Sequence, residues 1–180
     1  MEKKHWYVLR DLRRPNTKER AYQVLQDPQY DIERVFTPTV QKIVMNHGRK
    51  EVRTVPFVSD LLFVYDSREH LDAIVESVPL LIYYYARGGG YNNPVFVPDD
   101  QMADFLHAVG QQPDKVQYFT PEQVSPAVYG RSIRIIGGAL DGYEGRLMSR
   151  RGSRKKQLII ELEGLLSAAI EVEPDFIQLL

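Results

Sequence analysis

The sequence contains no cysteine, which excludes disulfide bonds and metal sites built on thiolates. This composition suits a reducing compartment, so we expect a cytoplasmic location. Residues 1–10 lack the continuous apolar stretch of a signal peptide, and no later run is long enough to span a membrane. The chain also lacks an excess of either charge, because its 23 basic residues are nearly balanced by 24 acidic ones. Any binding of nucleic acid must therefore be local.

The usual patterns of catalysis are also missing. Each of the four histidines falls in a different predicted element, without a partner at metal-ligand spacing. No Gly-x-Ser-x-Gly or phosphate-loop pattern occurs, and the glycines at 88–90 precede neither a lysine–serine pair nor a helix. A hydrolase would need two titratable groups to converge in one pocket. We therefore predict no catalytic site, no metal and no cofactor.

Residues 1–110 alternate strand-like and helix-like segments. Strands are predicted at 5–10, 32–37, 40–45, 51–55, 61–65, 80–85 and 95–97, the third and fourth forming a hairpin. Helices are predicted at about 17–26, after caps at Asp66 and Glu69, and from Asp99 to a C-terminal cap at Gly110. Few connections are long enough for right-handed crossovers, which favours an α+β fold.

The periodicity fades at residues 111–126, where three prolines predict a linker. Short strands follow at 132–136, 145–148, 157–162 and 168–172, separated by glycine and charge clusters. This texture is typical of a small β-barrel. We therefore predict a first domain at 1–110, a linker at 111–126 and a barrel domain at 127–180.

Two basic clusters are candidates for contact with nucleic acid. The first comprises Arg10, Arg13, Arg14, Lys18 and Arg20. The second comprises Arg150, Arg151, Arg154, Lys155 and Lys156, between two predicted barrel strands. Either cluster could track phosphates or simply form a solvated surface, and the residues alone leave both readings open. Acidic residues between 161 and 175 allow a protein partner, instead of nucleic acid, for the barrel.

The strand at 80–85 reads Leu-Leu-Ile-Tyr-Tyr-Tyr, with apolar side chains at consecutive positions. Because alternate side chains of a strand point in opposite directions, its apolar surface cannot lie on one face. Either helices cover both faces of this sheet, or one face is a docking groove for a partner helix.

A family resemblance emerges from the order of several motifs. Residues 130–147 (GRSIRIIGGALDGYEGRL) resemble the KOW signature, in which Gly138, Gly142 and Gly145 give the backbone freedom at its bends. The N-terminal segments WYV at 6–8, VFTPT at 35–39, residues 53–65, VP at 78–79 and VFVP at 95–98 resemble the NusG N-terminal (NGN) domain. The resemblance covers nearly the whole chain. The endings ELEG at 161–164 and IEVEP at 170–174 look most like the UpxY-type specialised NusG paralogues of Bacteroidetes.

The resemblance implies an α+β fold: an NGN-like antiparallel sheet with helices, a variant of the ferredoxin-like fold, followed by a small SH3-like KOW β-barrel. It implies no enzyme. The N-terminal domain would hold the clamp helices of the RNA polymerase β′ subunit in an apolar groove formed by Val58, Leu61, Ile82 and Tyr84. The family's Phe-Pro-Gly-Tyr falls here on residues 58–61, which places Asp60 beside that groove.

The same resemblance implies the remaining partners. The first basic cluster would face non-template DNA or nascent RNA, and the barrel would bind NusE or Rho near Leu165 and Leu166. The predicted function is transcription elongation or antitermination, in UpxY-type proteins at surface-polysaccharide operons. The alternative is a ribosome- or RNA-binding KOW protein that uses the second basic cluster and loses affinity steeply as salt rises.

Overall fold

The computed structural model describes residues 3–15, 17–88, 92–124, 130–149, 152 and 154–180. The chain divides into two compact units, Met1–Asp99 and Asp100–Leu180. Among the described residues, no helix combines the length and apolar character needed to cross a membrane.

In the described residues of the first unit, seven strands are present. They are β1 (Lys4–Asp11), β2 (Arg34–Phe36), β3 (Thr39–Asn46), β4 (Arg49–Pro56), β5 (Leu61–Ser67), β6 (Leu81–Tyr83) and β7 (Phe96–Val97). The main sheet has the order β2-β5-β1-β6, and β7 pairs with β1 further along the same edge as β6. Strands β3 and β4 form a separate two-stranded ribbon. Every described pair is antiparallel, as predicted.

Two helices, α1 (Ala21–Val24) and α2 (Arg68–Ser77), belong to the first unit. Alternation along β1 and β5 directs Tyr7, Leu9, Leu62 and Val64 toward one face of the sheet. There they form one buried cluster with apolar residues of both helices and of β6, including the fully buried Leu71. Burying a leucine of this kind contributes roughly 1.5–3 kcal/mol.

The helix starts differ from the predictions. The first helix spans four residues instead of the predicted 17–26, because Arg20 has an extended backbone and donates its N–H to Gln23 Oε1 at 3.0 Å. The predicted caps Asp66 and Glu69 are wrong for α2. Ser67 caps that helix, and its Oγ accepts from the N–H of His70 at 3.3 Å.

The part of the second unit that the structure describes contains one α-helix and six strands. They are α3 (Asp99–Gln111, entering the unit at Asp100), β8 (Gln117–Phe119), β9 (Ser132–Ile135), β10 (Glu144–Ser149), β11 (Lys156–Leu162), β12 (Leu166–Val172) and β13 (Ile177–Leu179). The strands form one antiparallel sheet in the order β13-β9-β10-β11-β12-β8. A first unit that combines an antiparallel sheet with helices is followed by a unit whose strands form one antiparallel sheet, so the predicted α+β fold class is confirmed.

Some predicted boundaries differ from the observed elements. Gly110 lies inside α3, which continues to Gln111. The predicted linker at 111–126 contains β8, which pairs with β12. Helix α3 also contacts the barrel sheet, since Gln101 Nε2 donates to the carbonyl of Glu161 at 3.1 Å. The boundary between the compact units falls after Asp99, the first residue of α3, and the predicted domain ranges stay a prediction.

Candidate functional site

The residues predicted to form an apolar groove meet at one end of the main sheet. Arg10 of β1 lies opposite Leu61 of β5 on one side and Ile82 of β6 on the other. Directly opposed side chains share a face, so these three residues form one row across three strands. Tyr84 follows on the same face, and its N–H donates to the carbonyl of Val8 at 2.9 Å. Val58 precedes β5, where its carbonyl accepts from the N–H of Leu61 at 3.3 Å.

These side chains differ in accessibility. Ile82 is 39% exposed, Val58 and Tyr84 are half-buried, and Leu61 is only 8% exposed. The sequence analysis missed two exposed leucines at this end of the sheet, Leu12 and Leu80. Their backbones are joined by a hydrogen bond of 2.8 Å, which continues the β1–β6 ladder.

Leu12, Leu80, Ile82 and Tyr84, together with the buried Leu61 across β1, are called here the apolar end of the sheet. A partner that bound here would bury these exposed apolar side chains. Leu80 lies in a run that the sequence analysis read as strand, but its positive φ of 64° places it in the turn before β6.

An ion pair crosses the apolar end. Arg10 Nε donates to Asp60 Oδ2 at 2.9 Å, and both side chains are partly exposed. Asp60 is the acid that replaces the glycine of the family pattern. Because Arg10 neutralises it, the apolar end carries no uncompensated negative charge at this position. Arg10 is therefore engaged with the protein and is not a free cation for nucleic acid.

Arg20, also predicted to face nucleic acid, has its side chain inside the first unit. Its side chain is only 7% exposed, and Nε lies 3.3 Å from Oδ2 of Asp11, whose side chain is 4% exposed. Nη1 donates to the carbonyls of Arg13 and Arg14 at 2.9 and 2.8 Å, and Nη2 donates to the carbonyl of Ser59. Arg20 is therefore a structural residue of this loop.

The rest of the first basic cluster divides into two kinds. Arg13 is mostly buried and donates from Nη1 to the carbonyl of Glu19 at 3.0 Å. Arg14 and Lys18 are exposed. Of the five predicted positions, these two direct their charge to solvent without a partner that the structure describes.

The second basic cluster is partly described. Arg150 and Arg151 lie outside the described residues. Arg154 is exposed, Lys155 pairs with Glu171 at 2.9 Å, and Lys156 Nζ donates to Ser149 Oγ at 3.1 Å. The structure therefore gives Lys155 and Lys156 partners within the barrel.

The predicted partner-binding residues of the barrel, Leu165 and Leu166, are both buried. They lie at the turn from β11 to β12, where Leu165 N–H donates to the carbonyl of Leu162 at 2.9 Å. The sequence alone does not show that these two leucines are buried, because a leucine at a hairpin turn can face either the core or the solvent. The exposed acids nearby, including Glu163, are more accessible to a partner.

Two polar clusters were not predicted from the sequence. His70 Nδ1 lies 2.8 Å from Oδ2 of the buried Asp66, an i,i+4 spacing that could have indicated the pair. On the same helix, Asp72 accepts from the Tyr83 hydroxyl at 2.8 Å and from Arg68 Nε at 2.6 Å. Burial, reinforced by the bond to Asp72, raises the pKa of Tyr83 well above its usual range. The phenol therefore stays protonated and donates.

The comparison with known proteins agrees with this architecture. Residues 4–106, more than half of the chain, match the family model NusG, described as transcription termination factor nusG. The chain belongs to the NusG family. No curated protein sequence matches the chain.

A solved NusG structure shares the fold. It is described as "Domain interaction in Thermotoga maritima NusG", and it superimposes with a TM-score of 0.50 at 17% sequence identity. The match covers 99% of this chain and 98% of that chain. Members of the NusG family are transcription factors, not enzymes, and the predicted elongation and antitermination class agrees with this membership.

Proposed function

We propose that this NusG-family protein regulates transcription elongation by binding RNA polymerase through the apolar end of its first sheet. The observation that carries the proposal is the row formed by Leu61, Arg10 and Ile82, continued by Tyr84 on the same face. Three strands supply it, so its geometry is held by the sheet and not by a loop.

The chemistry of this face suits an amphipathic helix. Exposed aliphatic side chains of Leu12, Leu80 and Ile82 would bury against the apolar stripe of such a helix. The neighbouring pair of Arg10 and Asp60 supplies a polar rim, which fixes orientation more than affinity. The β′ clamp helices of RNA polymerase are the partner that family membership favours.

Nucleic acid and a second protein complete the proposal. Arg14 and Lys18 are the exposed cations of the first basic cluster, so we assign contact with non-template DNA or nascent RNA to them. The barrel would recruit a second factor, NusE or Rho. Because Leu165 and Leu166 are buried, that contact would depend on accessible groups around the same turn, such as Glu163.

The cellular setting follows from the same proposal. A factor bound to RNA polymerase works in the cytoplasm. The resemblance of the chain ending to UpxY-type proteins supports a role in antitermination at surface-polysaccharide operons.

The test is a pull-down of core RNA polymerase with the wild type and with Ile82→Asp. Ile82 is a better probe than Leu61, because an exposed residue can accept a charge without disturbing the core. We expect retention to fall at least tenfold in the variant. Ile136→Asp, at a comparably exposed isoleucine of the second unit, is the matched control and should retain polymerase.

Equal retention by wild type and Ile82→Asp would contradict the proposed face. Absence of polymerase binding, together with a salt-sensitive shift of labelled RNA that Arg154→Glu weakens, would favour the RNA-binding alternative.

A further inference from the structure

The ribbon formed by β3 and β4 lacks a third strand. Its strands pair from Thr39–Pro56 to Asn46–Arg49, and neither pairs with any other strand in the part of the chain that the structure describes. His47 and Gly48 join them with φ of 46° and 79°, the signature of a tight type I′ turn. A two-stranded hairpin is marginally stable in water, and its open edges are templates for another strand.

One face of the ribbon is aliphatic and open to solvent. Ile43, Met45 and Val52 point to this face, and they are 71%, 65% and 65% exposed. Ile43 lies directly opposite Val52. Contiguous apolar surface of this kind marks an interaction site.

The hydrogen-bond pattern identifies the free backbone groups of β4. Phe57 N–H donates to the carbonyl of Pro38 at 2.8 Å, so residues 38 and 57 form a hydrogen-bonded pair. Such pairs alternate along an antiparallel ladder and therefore recur up to Asn46–Arg49. The intervening residues of β4, Val52 among them, direct their N–H and C=O groups outward. The exposed aliphatic residue thus lies on an unpaired edge.

We propose that this edge of β4 pairs with the same edge in a second copy of the chain. The pairing is antiparallel about a two-fold axis at Val52, so Val52 meets its own counterpart. In this register Glu51 lies opposite Arg53 of the second copy, and the symmetry forms that charge pair twice. The resulting four-stranded sheet aligns Ile43 and Val52 of both copies in one aliphatic row.

The charges of β4 select this register over its neighbours. Centring the axis on Lys50, Glu51 or Arg53 would place two like charges directly opposite each other. Centring it on Val52 instead sets Lys50 against Thr54 of the second copy. Both Glu51 and Arg53 are about half exposed, at 43% and 54%, so their side chains can reach a second copy.

Duplex nucleic acid is the competing occupant, because Lys42, Arg49 and Lys50 form no ion pair within the described residues. Phosphates would neutralise these cations but would leave the open edge of β4 unpaired. A second copy satisfies that edge and brings Val52 of the two copies side by side. The open edge therefore favours a second copy.

Sedimentation equilibrium of the full chain over a concentration series tests the pairing. We expect reversible dimers for the wild type, and an association weakened on the order of tenfold in Glu51→Arg and in Arg53→Glu, which each create like-charge pairs. Mixing the two variants should restore association, because each supplies the charge that the other needs. Arg87→Glu changes the net charge as much as Arg53→Glu but lies off the ribbon, and it should match the wild type.

Within one chain, Glu51 and Arg53 are 3.0 Å apart, and neither single variant retains this contact. Recovery of association on mixing can therefore come only from pairing between copies. A wild type that stays monomeric throughout would overturn the proposal, as would single variants that associate like the wild type or a mixture that fails to recover. Binding of a labelled DNA duplex that Lys42→Glu abolishes, without self-association, would reassign the ribbon to nucleic acid. The polymerase pull-down is independent, since Ile82 lies outside the ribbon.

Discussion

The guanidinium of Arg20 joins three segments of the first unit. It reaches Asp11 at the end of β1, the carbonyls of the following loop, and the carbonyl of Ser59 before β5. Asp11 in turn accepts from the N–H of Ala21 at 2.8 Å, at the start of α1. One buried ion pair thus fixes the loop that presents Arg14 and Lys18.

Replacing Arg20 with methionine is expected to lower the free energy of unfolding by about 3–5 kcal/mol, because Asp11 would keep a buried charge without its partner. Urea denaturation measures this. Lys18→Met, at an exposed lysine of the same loop, should change stability by less than about 0.5 kcal/mol. Equal effects of the two substitutions would show that the buried pair does not hold the loop.

The hydroxyl of Tyr83 makes stability depend on alkaline pH. Its pKa is raised by burial and by Asp72 above the usual value of 10.0, so the folded state keeps this proton more tightly than the unfolded chain. The contribution of the protonated Tyr83 hydroxyl to the free energy of unfolding is complete below about pH 10 and is lost as pH rises further. Tyr83→Phe removes it and also loses a hydrogen bond worth about 1 kcal/mol.

The stability gap between wild type and Tyr83→Phe should therefore narrow above about pH 10, in urea denaturation repeated across the alkaline range. Tyr22→Phe, at a half-buried tyrosine of the same unit, is the control. If the difference in the free energy of unfolding between wild type and Tyr83→Phe stays constant with pH, Tyr83 is not the source of the effect.

Among the elements, strands β10 and β11 approach each other closely at Gly145. A Cβ there would lie 2.4 Å from the carbonyl oxygen of Ile159 and 2.7 Å from Leu158 Cδ1, closer than real atoms approach. The glycine of the KOW-like motif therefore serves strand contact, whereas Gly142 of the same motif supplies a positive φ of 84° at the bend.

Gly145→Ala should force the two strands apart and destabilise the protein by about 1–3 kcal/mol or more. Thermal unfolding checks this against Gly110→Ala, whose added Cβ meets no atom within 4 Å inside α3. That control should stabilise the helix by roughly 0.5–1 kcal/mol. A Gly145→Ala protein as stable as the wild type would contradict the close approach.

For the whole molecule, the order of strand-like and helix-like segments and the short connections between them were enough to predict the fold class. A plain alternation of buried and exposed residues is not visible in the central strands, because β1 and β5 are buried at consecutive positions. The helix at 17–26 was overpredicted because nothing local reveals that Arg20 turns inward to Asp11. The apolar face of α3 was evident, but not the contact of Gln101 with the barrel strand that carries Glu161.

The candidate site was predictable to a similar extent. Leu61, Ile82 and Tyr84 were named from the family resemblance, and the register of the strands places them on one face of the sheet. The pairing of Arg10 with Asp60 joins residues fifty positions apart. The exposure of Leu12 and Leu80 depends on where β1 and β6 end. Such long-range contacts are set by the assembled sheet and leave no local signal.

The inward position of Arg20 has an evolutionary consequence. Asp11 and Arg20 can change only together without passing through a less stable protein, so single substitutions leave the path of the loop fixed. Arg14 and Lys18 point outward from that loop and can be exchanged freely. A descendant could thus change the charge of this surface at two positions while inheriting an unchanged scaffold.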